Sequence, residues 1–115
     1  MSETPEKILS FEIERDGDTA VVKCHGRLVA GTTEEFYQEL KHLLPEIKTL
    51  TVDLADLTYT DSMGLGALVR LYSAARQTGC EFKLLHLGKQ LRNVLMMTNL
   101  LSVFSHAEDH GINVA

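Results

Sequence analysis

In the middle of the chain the hydrophobic pattern changes period abruptly, and this change dictates a strand that runs straight into a helix. Leu50, Val52 and Leu54 alternate with period two, with Asp53 between them, as a half-buried strand does. From Leu65 on, Leu68, Val69, Tyr72 and Ala75 recur at helical spacing, and Gly79 is a natural stop. The switch falls in Thr60-Asp61-Ser62-Met63-Gly64-Leu65-Gly66. Ser62 therefore lies at or near a helix N-terminus, where free N–H groups and the positive end of the helix dipole point outward. Two readings of that serine follow. Its hydroxyl can cap the helix by accepting from an orphan N–H. It can instead accept a phosphoryl group, because the same site tolerates a dianion.

The flanking segments extend the alternation of strands and helices. Phe11-Glu12-Ile13-Glu14-Arg15 reads as a strand, and Asp16-Gly17-Asp18 as a hairpin turn. Thr19 to His25 forms the return strand, with Ala20, Val22 and Cys24 on one face, and Gly26 to Gly31 is a transition. Thr32 and Glu35 fit a capping box that opens a helix. Its stripe is Phe36, Leu40, Leu43, Leu44 and Ile47, and Pro45 puts its end near Leu44. Thr49 to Leu54 is the third strand and Phe82 to Leu87 the fourth. Lys89 to Thr98 reads as a short helix with Leu91, Val94 and Leu95 inward and Asn99 as its stop, and Val103 and Phe104 form a last short strand.

The order β-β-α-β-α-β-α-β predicts an α/β fold. It has a mixed, mostly parallel sheet with an antiparallel N-terminal hairpin, right-handed crossovers, and helices packed on the sheet. A single domain is expected over residues 8–104, with a flexible N-terminus at 1–7 and a polar tail at 105–115.

The length of 115 residues suits one domain with one core. The net charge of −5, without a basic cluster, argues against nucleic acid or an anionic membrane as the partner. No apolar run reaches the length of a membrane span, and Met1 to Lys7 has no signal-peptide pattern, so the expected location is the cytoplasm. In a reducing compartment Cys24 and Cys80, far apart in sequence, read as small core residues.

Enzymatic chemistry finds few of its parts. A Ser62 nucleophile needs a base and an oxyanion hole, and Thr60 stands where a nucleophile elbow has its first glycine. Asp53, Asp56 and Asp61 cluster near one strand end, where they bind magnesium or cap turns. A phospho-aspartate receiver also needs an acidic pair after its first strand, and here that strand ends in Glu14-Arg15 and a hairpin. His106 and His110 have metal-ligand spacing but lie in the polar tail, while His25, His42 and His86 are isolated in sequence. No cofactor is called for. Gly64 and Gly66 are odd in a first helical turn, where each costs about 1 kcal/mol relative to alanine. They signal either tight packing against the sheet or a bare patch where a partner docks. Leu65 begins the inward stripe, so Met63 faces outward.

Asp61-Ser62-Met63-Gly64-Leu65, after an apolar strand and before a helix of this length, resembles the signature of the STAS domain. The similarity is to the bacterial anti-sigma factor antagonists in particular. It runs from Phe11 to Phe104 and includes Gly26-Arg27-Leu28 and Val52-Asp53-Leu54. The resemblance implies a regulatory binding protein and not an enzyme. In such a protein the unphosphorylated form binds an anti-sigma factor that is also a serine kinase, and a sigma factor is released. The kinase phosphorylates Ser62, with ATP and magnesium belonging to the partners, and a serine phosphatase resets the switch. Asp61, Ser62, Met63, Gly64 and Gly66 form the partner-binding patch, with Asp61 holding or presenting the Ser62 hydroxyl. A monomer or weak dimer is expected. Other readings are a STAS subunit of a lipid-transport complex or stress-sensing scaffold, in which Ser62 is only a helix cap, and a small enzyme using Ser62 or a cysteine. The last helix of the family would follow Phe104, where the short tail with Gly111 has no apolar stripe.

Overall fold

The computed structural model describes residues 8–97. Strands β1 (Leu9–Asp16) and β2 (Thr19–Leu28) form the hairpin, and helix α1 (Thr33–Leu43) crosses to β3 (Thr49–Thr60). Helix α2 (Ser62–Thr78) crosses to β4 (Glu81–Leu85), and α3 (Lys89–Met97) follows. The sheet order is β1-β2-β3-β4, antiparallel between β1 and β2 and parallel thereafter. This is the mixed sheet expected from the alternation of strands and helices. The expected last strand at Val103 and Phe104, the Asn99 stop and both termini lie outside the described residues.

Register explains where the core sits. Ala20 pairs with Leu50 and Leu50 with Phe82, and Val22 pairs with Val52 and Val52 with Leu84. These rows are buried, as are Cys24 and Leu54. They share one face of the sheet because alternate residues point the same way. Phe36 and Leu40 of α1 and Leu68, Leu71 and Ala75 of α2 are fully buried with them in one cluster. Phe11 meets Phe36 edge-on at 5.7 Å, and Tyr72 meets Phe82 in the same way at 6.1 Å. Removing Phe36 to alanine would cost about 3–5 kcal/mol.

Four local expectations are corrected. β3 does not end at Leu54 but runs to Thr60, and β2 takes in Gly26, Arg27 and Leu28. Two register shifts, at Lys23/His25 and Gly26/Arg27, each give β3 one extra residue, so its strict alternation breaks after Leu54 and the pattern fades. β4 ends at Leu85, because His86 has φ 60 and cannot continue a strand. Thr32 occupies the N-cap position of α1 without a capping bond. Its hydroxyl turns back, accepting from Val29 N and donating to Val29 O at 2.8 Å, which closes the β2–α1 loop. The histidines are not isolated either: His25 lies between Glu12 and Asp56, and His86 pairs with Asp53.

Candidate functional site

The site lies at the junction of β3 and α2. Thr60, the last residue of β3, pairs with Leu28 of β2, and Asp61 N donates to Leu28 O at 3.3 Å. The backbone of Asp61 is extended, which is the geometry of an N-cap, and its Oδ1 accepts from Gly64 N at 2.8 Å. Its Oδ2 accepts from Ala30 N at 3.0 Å in the β2–α1 loop. One carboxylate therefore starts the helix and binds the neighbouring loop. These two N–H groups, Ala30 first and Gly64 next, hold its pKa below the usual aspartate value.

This arrangement corrects the reading of Ser62 as the cap. The cap is Asp61, and Ser62 is the first residue of α2. Asp61 spends its oxygens on backbone donors, so it does not hold the Ser62 hydroxyl. That hydroxyl is exposed and makes no hydrogen bond among the described residues. Its neighbours differ. Thr58 Oγ1 donates to Gly26 O at 3.0 Å, and Thr60 is 3% exposed.

The two glycines separate. A Cβ on Gly64 would run into the Leu28 carbonyl oxygen and lie 2.8 Å from the Thr60 methyl, so this glycine is required for packing and is itself buried. A Cβ on Gly66 would meet nothing within 4 Å. Met63 is 56% exposed, and Leu65 is buried at 6%. Exposed Ser62 and Met63 and half-buried Gly66, with open space above it, thus form one face at the start of α2, since residues three and four apart are neighbours on a helix.

Asp53, Asp56 and Asp61 do not converge. Asp53 serves Ala55 N and His86, Asp56 serves His25, and Asp61 serves Ala30 and Gly64. Among the described residues no three His, Cys, Asp or Glu side chains group to hold a metal ion. Cys24 and Cys80 are free and buried, and burial, with Asp53 nearby, pushes the Cys24 thiol up to about 12. No described helix is long and apolar enough to cross a membrane.

Sequence reasoning missed Ala30 and Gln90. The Gln90 side chain donates through Nε2 to Thr60 O at 3.0 Å, and its Oε1 accepts from Thr60 N at 3.4 Å. Both residues lie about thirty positions from their partners, and no local pattern announces such a contact.

Residues 10–111 match the STAS domain model. The chain is 31% identical over 97 residues to the anti-sigma-B factor antagonist of Listeria monocytogenes, covering 83% of this chain and 85% of that protein. A putative anti-sigma factor antagonist from Thermotoga maritima superposes with a TM-score of 0.77 at 19% identity, covering 91% of this chain and 86% of that one. SpoIIAA in its unphosphorylated form gives 0.67 at 19% identity, covering 76% and 83%. The Bacillus SpoIIAA in its phosphorylated form gives 0.68 at 19% identity, covering 79% and 85%. With residues 10–111 matched by the domain model and 31% identity to a relative over most of both chains, the chain belongs to the STAS domain family, among the anti-sigma factor antagonists.

Proposed function

We propose that this protein is a phosphorylation-switched binding protein whose acceptor is Ser62. In its unphosphorylated state it sequesters an anti-sigma factor serine kinase in the cytoplasm and so frees a sigma factor. The observation that carries this reading is the contrast among the hydroxyls at the β3–α2 junction. Ser62 is exposed with no hydrogen bond among the described residues, Thr58 is engaged and Thr60 is buried. The docking patch is the face formed by Ser62, Met63 and Gly66, with Asp61 and Gly64 fixing the turn beneath it. The relatives named as anti-sigma factor antagonists support the choice of partner.

Release follows from charge. Phosphoserine adds about −1.5 to −2 charge at neutral pH. Pressed into a packed interface beside the Asp61 carboxylate, that charge is repelled, and like charges brought together cost several kcal/mol. The kinase supplies ATP and magnesium, and a serine phosphatase removes the phosphate. The chain itself binds and does not catalyse. Incubation with its kinase and ATP should add one phosphate, located on Ser62 by mass spectrometry. A phosphate on Thr58 or Ser73 instead would overturn the assignment.

A further inference from the structure

We propose that Gln90 is a positioning residue for phosphoryl transfer to Ser62, a role that rests on Ser62 being the acceptor. β4 pairs with β3 only as far as Asp53↔Leu85. Beyond that point β2 alone accompanies β3, reaching Leu28↔Thr60. At Thr60, two residues before the acceptor, the Gln90 amide occupies the side that β4 has left. It donates to the Thr60 carbonyl at 3.0 Å and accepts from the Thr60 N–H at 3.4 Å. This is the bond pair that the opposite residue of an antiparallel neighbouring strand would make. Thr60 is thus held between Leu28 on one side and Gln90 on the other.

The clamp bears on the acceptor because little chain separates them. Asp61 is tied to Ala30 and Gly64 by its carboxylate and to Leu28 by its N–H. All of these ties face β2, its following loop or α2. Gln90 supplies the opposing tie, from the first turn of α3. Without it the end of β3 can swing toward β2 and carry the Ser62 hydroxyl with it. Phosphoryl transfer depends on placing the attacking oxygen in line, and a shift of about 1 Å can cost about a hundredfold in rate. The hydrogen bonds of Gln90 go to Thr60 and not to Met63 or Gly66, so affinity for the kinase should be spared.

The test compares Gln90→Leu, which removes both bonds at similar volume, with Gln90→Glu, which keeps the acceptor for Thr60 N. Steady-state phosphorylation by the kinase that modifies the wild type would be measured, with melting temperature and amide hydrogen exchange at Thr60, Asp61 and Ser62 alongside. Gln90→Leu should lower kcat by about tenfold, with KM within about twofold, as for a misplaced reacting group. Gln90→Glu should fall between it and the wild type, and exchange should quicken at Thr60 and Asp61. Should Gln90→Leu fail to fold, Gln90→Glu carries the test by itself. An unchanged kcat in a folded variant would overturn the role of Gln90 and leave the acceptor assignment standing. So would rates that merely follow melting temperature, since a structural prop predicts that. No transfer to Ser62 of the wild type would overturn both.

Discussion

At the scale of single residues, the junction divides labour between neighbours that look alike in sequence. Asp61 caps and ties, Ser62 is left bare, Gly64 makes room and Gly66 does not need to. Gly64→Ala should destabilise by about 1–3 kcal/mol, because the methyl meets backbone that cannot give way. Gly66→Ala should stabilise by about 0.5–1 kcal/mol, since its space is open and alanine is the better helix former. Urea titration of the two variants checks the opposite signs. Asp61→Ala should cost about 0.5–2 kcal/mol, and Asp61→Asn less, because the amide oxygen still caps. The folded-state pKa of Asp61 is lowered, so its contribution is present above the unfolded aspartate pKa. It is lost as pH falls through the folded value. The difference in stability between wild type and Asp61→Asn should therefore shrink in acid.

At the scale of the element, α2 presents two opposed faces, and the proposed partner would read the one that carries Ser62 and Met63. Ser62→Ala should fold and bind the kinase but never be released by ATP. Ser62→Asp should bind at least a hundredfold more weakly, which is about 2.8 kcal/mol. Met63→Glu should weaken binding with the fold intact. Leu65→Glu should instead cost about 3 kcal/mol or more, because it leaves an unpaired charge in the core. Titration of the four variants against the kinase, with circular dichroism as the fold control, separates the faces. Full affinity for Ser62→Asp would refute release by charge. Phosphorylation itself should leave the fold unchanged. The N-terminus of α2 favours the anion by about 0.3–1 kcal/mol, and Asp61 opposes it. The melting temperature should move by only a few degrees, and loss of the tertiary NMR pattern would count against this.

At the scale of the whole molecule, the sheet and the three described α-helices enclose a single core that contains Cys24, with Cys80 at its margin. Both thiols should react slowly with thiol reagents until the protein opens, and rapid titration without denaturant would contradict their burial. Cys24 keeps its proton in the folded state up to about 12, against 9.0 ordinarily. The unfolded chain therefore loses that proton first, and stability should fall as pH rises above about 9. Cys24→Ser should show less of this alkaline loss, measured by denaturation at pH 7 and pH 10.

The amino-acid sequence by itself determined the order of elements, the core face and the position of the bare patch. These follow from periodicity, turn chemistry and the outward direction of Met63, all of which act over a few residues. Helix α2 was legible nearly to its ends for that reason. What only the tertiary structure decided depends on contacts between distant segments. The extra residues in β3 exist only relative to β2, so the strand past Leu54 could not be seen in its own pattern. Asp61 won the cap from Ser62 because Ala30, thirty-one residues away, holds its other oxygen and fixes its extended backbone. Thr32 left its capping box because the β2–α1 loop offers its hydroxyl the Val29 N–H to accept from and the Val29 carbonyl to donate to. Gln90 meets Thr60 only once β4 has ended and α3 has turned back. A short-range pattern can nominate Ser62, but its lack of a hydrogen bond among the described residues is a property of the folded neighbourhood, set by which donors and acceptors the distant chain brings within reach.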